Sequence, residues 1–286
     1  MNERPLEITS PANPRVREVL RLRERRERDR TGSTIVDGAR EIRRALEAGV
    51  EILAIFVDET RAASDDARAA LDIVRRRART VAPIAVSPDV LDRLAYGDRA
   101  DGLVAIVRTP SVRLAEILLP ADPFVAIVEG VEKPGNLGAI LRSADGAGLD
   151  AIVAADPVTD IFNPNTIRAS LGTVFARPVA SATAEETLGW LRANGIRVVA
   201  ARVDAEIPYT DVALSGPLAV VLGSEADGLT AQWNAADIVA VRLPMLGSAD
   251  SLNVSTAAAI LFYEALRQRR GMVRRRSSDD GPAAAR

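Results

Sequence analysis

Apolar positions along this chain switch repeatedly between a period near 3.6 and continuous short runs. Val16, Val19, Leu20 and Leu22 recur at helical spacing behind Asn13-Pro14, a helix start signal, and predict a short charged helix. Strands are then predicted at 33–37 (STIVD), 51–57 (EILAIFV), 83–86 and 102–107 (GLVAIV), with helices at 39–48, 66–79 and 88–94 between them. This is a small α/β unit of about a hundred residues, by the usual domain sizes. Residues 109–122, punctuated by Pro110 and Pro120 and followed by Pro123, read as a boundary. Beyond it strands are predicted at 124–128, 151–155, 197–202, 218–222 and 238–243, and helices at 136–146, 163–170, 184–193 and 251–269. The last helix has Ala257, Ile260, Leu261 and Leu266 on its apolar side and Ser251 as its expected N-cap. Strands alternating with helices imply a parallel sheet covered on both faces. The ending SSDDGPAAAR is low in complexity and is expected to be disordered.

Composition narrows the chemistry more than it narrows the fold. The 286 residues suit two domains, and 48% hydrophobic content is enough for a buried core. No apolar run approaches the roughly 18–20 residues of a membrane span. The opening MNERPLEITS has no apolar stretch and no cleavage pattern, so a secretory leader is not expected and a cytoplasmic location is. Cysteine and histidine are both absent, which removes thiolate nucleophiles, a His general base, a Ser-His-Asp triad and His- or Cys-ligated zinc. Catalysis must rest on carboxylates, hydroxyls, amides, Arg, or orientation alone.

A net charge of −2 is unusual for a phosphate binder, but the distribution is uneven. Residues 15–30 (RVREVLRLRERRERDR) and 267–276 (RQRRGMVRRR) concentrate Arg at the two ends. Lys133 is the one lysine, so Arg richness itself reads as coding bias and only the clustering counts. The first cluster also fits a solvated helix face with Glu–Arg pairs.

Three loops leave predicted strands with unusual residues, where ligands of open α/β sheets bind. The first is EGVEKPGNLGAILR, 129–142, in which Asn136 can cap the following helix and Arg142 lies six residues on. The second is VLGSEADGLT, 221–230, where Gly223 and Gly228 bracket Ser224, Glu225 and Asp227. The third is LPMLGSADSLNVS, 243–255, leading into the last helix. Gly146 to Ala151 matches the dinucleotide pattern G-x-G-x-x-A, but a helix precedes it and a strand follows, the reverse of what that fingerprint requires.

Together these loops resemble the three motifs of the SpoU/TrmH family of RNA 2′-O-ribose methyltransferases. Asn136-Leu137-Gly138 through Arg142 matches the first, Gly223-Ser224-Glu225 the second, and Ser251-Leu252-Asn253-Val254-Ser255, after Leu243-Pro244-Met245, the third. The first hundred residues, with SPANPRVREVL and VDGAREI, resemble the L30e-type RNA-binding domain that many members carry. The layout also resembles actinobacterial members of the antibiotic-resistance type, such as those for avilamycin and thiostrepton. The resemblance implies an L30e-like α/β domain over 1–108, a linker over 109–120, a knotted (trefoil) parallel-sheet methyltransferase domain over 121–272, and a disordered tail over 273–286. It implies S-adenosylmethionine as cofactor, held by Leu222, Gly223, Leu243, Met245, Ser251 and Leu252. Asn136, Arg142, Glu225, Ser251 and Asn253 are implied to form the polar, catalytic end. The partners implied are ribosomal RNA, most specifically 23S rRNA, and a second copy of the chain. Neither a metal nor a membrane is implied.

A ribose 2′-hydroxyl is a poor nucleophile and must be aligned and assisted in losing its proton. The family proposal makes Arg142 the base, yet a guanidinium is too weak an acid to give up its proton under ordinary conditions and so is a poor base. Fixing an RNA phosphate and polarising the hydroxyl, with a water or phosphate oxygen taking the proton, is the better reading, and Glu225 is the second candidate base. Other readings are a tRNA 2′-O-methyltransferase, a non-catalytic RNA-binding protein of the same fold, a nicotinamide oxidoreductase, and a knotted base methyltransferase.

Overall fold

The computed structural model describes residues 7–76, 81–96 and 101–279, with side chains described as far as Gly271. Two compact units emerge: Met1–Ser111 with Lys133–Gly138 and Thr159–Ala176, and Val112–Glu132 with Ala139–Val158 and Arg177–Arg286. Two segments from the half read as catalytic thus cluster with the first hundred residues.

The first unit opens with α1 (Pro14–Arg21), where Asn13 Oδ1 accepts from Arg15 N at 2.9 Å and caps the helix as expected. Then follow α2 (Arg25–Thr31), β1 (Ser33–Asp37), α3 (Ala39–Glu47), β2 (Ile52–Val57), α4 (Asp65–Arg76), β3 (Ile84–Ala85), α5 (Pro88–Leu94) and β4 (Leu103–Arg108). The last residues of the helix expected at 66–79 lie outside the described residues. The sheet order is β1-β4-β2-β3, antiparallel at both β4 pairings and parallel only between β2 and β3. Its core joins Val16, Val19 and Leu22 to Ile35, Phe56, Val90, Leu94 and Val104. The Arg-rich stretch divides in two. Arg30 pairs with Glu27 on the surface, whereas Arg28 is 3% exposed, donating to Asp160 Oδ2 at 2.8 Å and to the carbonyls of Leu22 and Arg23.

The remaining elements are β5 (Phe124–Glu129), α6 (Pro134–Ala147), β6 (Ala151–Ala155), α7 (Pro164–Ala169), β7 (Val179–Ala182), α8 (Ala184–Ala193), β8 (Arg197–Ala201), β9 (Ile207–Pro208), β10 (Leu218–Leu222), β11 (Ile238–Arg242) and α9 (Val254–Asp279). All seven strands of the second sheet run parallel in the order β7-β6-β5-β10-β8-β11-β9. Apolar runs such as LAVVL and FVAIV are buried throughout, as strands covered on both faces must be. β7 (VASA) was not legible as a strand, because its small residues carry little β preference. The Gly146–Ala151 stretch does join a helix to a strand, the wrong context for a dinucleotide fingerprint. Helix α9 begins at Val254 rather than Ser251 and its backbone continues to Asp279, so the tail expected to be disordered from 273 is helical as far as that residue. Residues 280–286 lie outside the described residues. Among the described residues no helix is long and apolar enough to cross a membrane.

Candidate active site

The three loops of interest all start at carboxyl ends of strands in the parallel sheet. β5 and β10 are adjacent and in register, Val128 opposite Leu222, so the residues that follow them emerge side by side. β11 leaves the same edge one strand beyond β8 and feeds the 243–253 loop.

Behind β10 the chain makes a turn that closes on itself. Ser224 N donates to Gly228 O at 3.1 Å and Gly228 N to Ser224 O at 3.2 Å, while Asp227 N donates to Ser224 Oγ at 3.0 Å. Gly228 has φ +69°, a left-handed conformation that glycine adopts without penalty. At Gly223 the limit is space. A Cβ there would stand 2.2 Å from the carbonyl carbon of Gly228. The turn presents Glu225 to solvent.

The third loop meets the second at Asn253. Its amide nitrogen donates to Glu225 Oε1 at 2.5 Å, and its Oδ1 accepts from Ser255 N at 3.0 Å and Ser255 Oγ at 2.6 Å. Backbone N–H groups of Thr256 and Ala257 reach its carbonyl, so Asn253, and not Ser251, caps α9. Ser251 stays exposed in the loop, which corrects its expected place as the cap. Leu222 is buried at the end of β10, and Leu243, Met245 and Leu252 are half-buried.

Asn136 and Arg142 lie on α6, which starts at Pro134; Asn136 is therefore inside the first turn and does not cap it. The capping carbonyl is that of Lys133, which accepts from Asn136 N at 3.0 Å. Gly138 is a packing glycine, since a Cβ would come within 2.5 Å of Ala169 Cβ on α7. Arg142 is exposed and makes no hydrogen bond or ion pair with the described residues. Sequence reasoning passed over Glu129, the buried last residue of β5, because an acidic residue ending a strand carries no motif of its own.

The chain matches the model of the SpoU rRNA Methylase family over residues 123–263 and that of the MRM3-like substrate binding domain over 13–105. A 23S rRNA (uridine(2479)-2′-O)-methyltransferase of Streptomyces viridochromogenes is 32% identical over 87% of this chain and 87% of its own. The chain belongs to the SpoU rRNA methylase family. Among solved SpoU-like structures, one described as an RNA 2′-O ribose methyltransferase is 42% identical, with TM-score 0.79 over 92% of this chain and 99% of that one. An AdoMet-bound rRNA methyltransferase from Sinorhizobium meliloti is 30% identical, with TM-score 0.83 over 92% and 97%.

For a SpoU methylase the donor set suits S-adenosylmethionine. Leu243, Met245 and Leu252 offer half-buried apolar surface of the kind an adenine ring needs. The turn at Gly223 keeps main-chain groups close to the carboxyl end of β10, and Ser251 brings an exposed hydroxyl. Ligands of such sheets bind at the carboxyl ends of the strands, where these loops start.

Proposed function

We propose that this protein transfers a methyl group from S-adenosylmethionine to a ribose 2′-hydroxyl of ribosomal RNA, within the large-subunit 23S molecule. The Asn253–Glu225 hydrogen bond carries the reading, because it joins two signature loops into one site at the carboxyl end of the parallel sheet. The 23S rRNA assignment is supported by the Streptomyces relative and by a Bacillus subtilis relative described as a 23S rRNA (guanosine(2553)-2′-O)-methyltransferase, 30% identical over 90% of this chain and 98% of its own.

When bound, the cofactor supplies an electrophilic methyl on a sulfonium. Leu222, Gly223, Leu243, Met245, Ser251 and Leu252 hold it. Arg142 takes an RNA phosphate and polarises the neighbouring 2′-hydroxyl; its exposure and lack of a partner among the described residues leave its donors available. The ribose oxygen forms its bond to the methyl carbon as the carbon–sulfur bond breaks, and the hydroxyl proton passes to water or a phosphate oxygen. Asn253 orients the nucleotide, and Asn136 belongs to the motif that also carries Arg142. Glu225 keeps Asn253 in place, a role its 2.5 Å bond supports better than that of base.

Residues 1–108 choose the RNA, residues 121–272 carry the knotted catalytic domain, and the protein works as a cytoplasmic homodimer. For the dimer, α9 offers the half-exposed Tyr263, while Leu261 and Phe262 are buried within their own subunit, Phe262 edge-on to Phe124 at 6.1 Å. Light scattering is expected to give twice the 30.5 kDa chain mass. The decisive test incubates the protein with methyl-labelled S-adenosylmethionine and large-subunit rRNA. Label in alkali-resistant dinucleotides supports the proposal, and label on a base or no label refutes it.

A further inference from the structure

Glu129 is 2% exposed, and its carboxylate faces the loop that leaves the neighbouring strand. Oε2 accepts from Thr230 N at 2.8 Å; Oε1 accepts from Thr230 Oγ1 at 2.7 Å and from Trp233 Nε1 at 2.9 Å. A carboxylate withdrawn from water needs hydrogen bonds to replace its hydration, and here all three come from residues 230–233.

The geometry of the turn gives this clasp a consequence at the site. Because residues 224–228 close on each other, the turn behaves as one piece, and its orientation is set where it is attached. One attachment is the chain leaving β10 at Gly223. At its far end along the chain the attachment is Thr230, held by Glu129, while Glu225 at the tip takes the Asn253 amide. Trp233, 1% exposed in the core, prevents that second attachment from sliding. Gly130, next to Glu129, lies against the same turn, its Cβ position 3.5 Å from Ser224 Cβ.

We propose that Glu129 is a positioning residue for the cofactor: it holds the 223–233 loop in the shape in which Leu222 and Gly223 meet S-adenosylmethionine and Glu225 meets Asn253. This rests on the methyltransferase reading above. Glu129 touches no substrate and acts only through the loop, so its loss weakens cofactor binding more than the transfer step.

The test measures S-adenosylmethionine binding by calorimetry, and KM and kcat on rRNA, for the full-length chain. Glu129→Gln keeps the shape but replaces an acceptor facing Thr230 N with a donor, and about tenfold weaker Kd and higher KM are expected, with kcat at saturating cofactor within about threefold. Thr230→Val deletes one of the three bonds and is expected to raise Kd by about threefold. In the Glu129→Gln background Thr230→Val adds less than its separate effect, since both disturb one contact. Kd within twofold of wild type in a folded Glu129→Gln protein would overturn the proposal, as would a kcat loss equal to the KM rise. Should Glu129→Gln not fold, Thr230→Val decides, and unchanged Kd there overturns it. Wild type that fails to bind the cofactor at all refutes the methyltransferase reading instead.

Discussion

Asn253 holds Glu225 with its amide nitrogen at 2.5 Å while its other side-chain atom and its carbonyl organise the first turn of α9. One residue thus serves as helix cap and as the tie between two loops at the carboxyl end of the sheet. Asn253→Ala removes both at once. Loss of the cap alone costs about 1 kcal/mol, or a fall in Tm of about 2–4 °C. We expect a larger effect on function, with cofactor affinity and turnover both down at least about tenfold for the lost tie. Asn253→Asp separates the two roles, since it caps equally well but sets a carboxylate against Glu225. If Asn253→Asp is fully active, the tie has no functional part.

Arg142→Ala is expected to leave Tm and cofactor Kd unchanged, because the guanidinium has no partner among the described residues. Methyl transfer should fall by about 100-fold or more, the scale on which single positioned donors act in transition states. Single-turnover rates with bound cofactor check this. Activity within tenfold of wild type would remove Arg142 from the mechanism.

Gly223→Ala places a methyl group 2.2 Å from the Gly228 carbonyl carbon, so the turn must open. The expected result is loss of cofactor binding with a fall in stability of about 1–3 kcal/mol, as for other overpacked sites. Gly135→Ala, with open space around its Cβ position, serves as the control. Equal cofactor affinity in the two variants would show that the shape of the turn is immaterial.

Much of this architecture was legible because the parallel sheet is made of continuous apolar runs, and these leave little freedom in where strands fall. The loop residues were legible for a different reason: each loop alone reads as an ordinary turn, but the three in this order and spacing resemble the SpoU/TrmH motifs. What pairwise spacing could not show was which residues meet. Glu129 and Thr230 are a hundred positions apart and carry no shared pattern, and Arg28, one of eight arginines in a charged stretch, is indistinguishable by sequence from its solvated neighbours. The mixed sheet of the first unit was also hidden, because alternation of strands and helices says nothing of strand direction when β4 inserts between β1 and β2. Ser251 reads as the cap by residue type, but the helix starts at Val254, and Asn253 takes the position with its Oδ1 and carbonyl while its amide reaches Glu225.

Asp37, buried at the end of β1, has its carboxyl pushed up from the ordinary 3.8 to about 6. Burial is the main cause. A hydrogen bond from Tyr96 N at 2.7 Å and the Arg168 guanidinium at 3.6 Å oppose it, while Glu41 and Asp101 add to it. A raised acid pKa means that the folded protein holds the proton more tightly than the unfolded chain. The associated stability is complete below about pH 4 and is lost as pH rises through about 6, amounting to at most about 3 kcal/mol. Asp37→Asn should therefore gain stability relative to wild type between pH 4.5 and 7.5, as followed by urea melts. A constant difference across that range would contradict the assignment.

Mapping of 2′-O-methylation tests the central claim most directly. Large-subunit rRNA that lacks the modification is incubated with the wild-type protein and S-adenosylmethionine, and resistance to alkaline cleavage is read at every nucleotide. One new resistant position, absent with Arg142→Ala and without cofactor, is the expected result. An RNA that remains cleavable throughout, or a methyl group found on a base, would contradict the account.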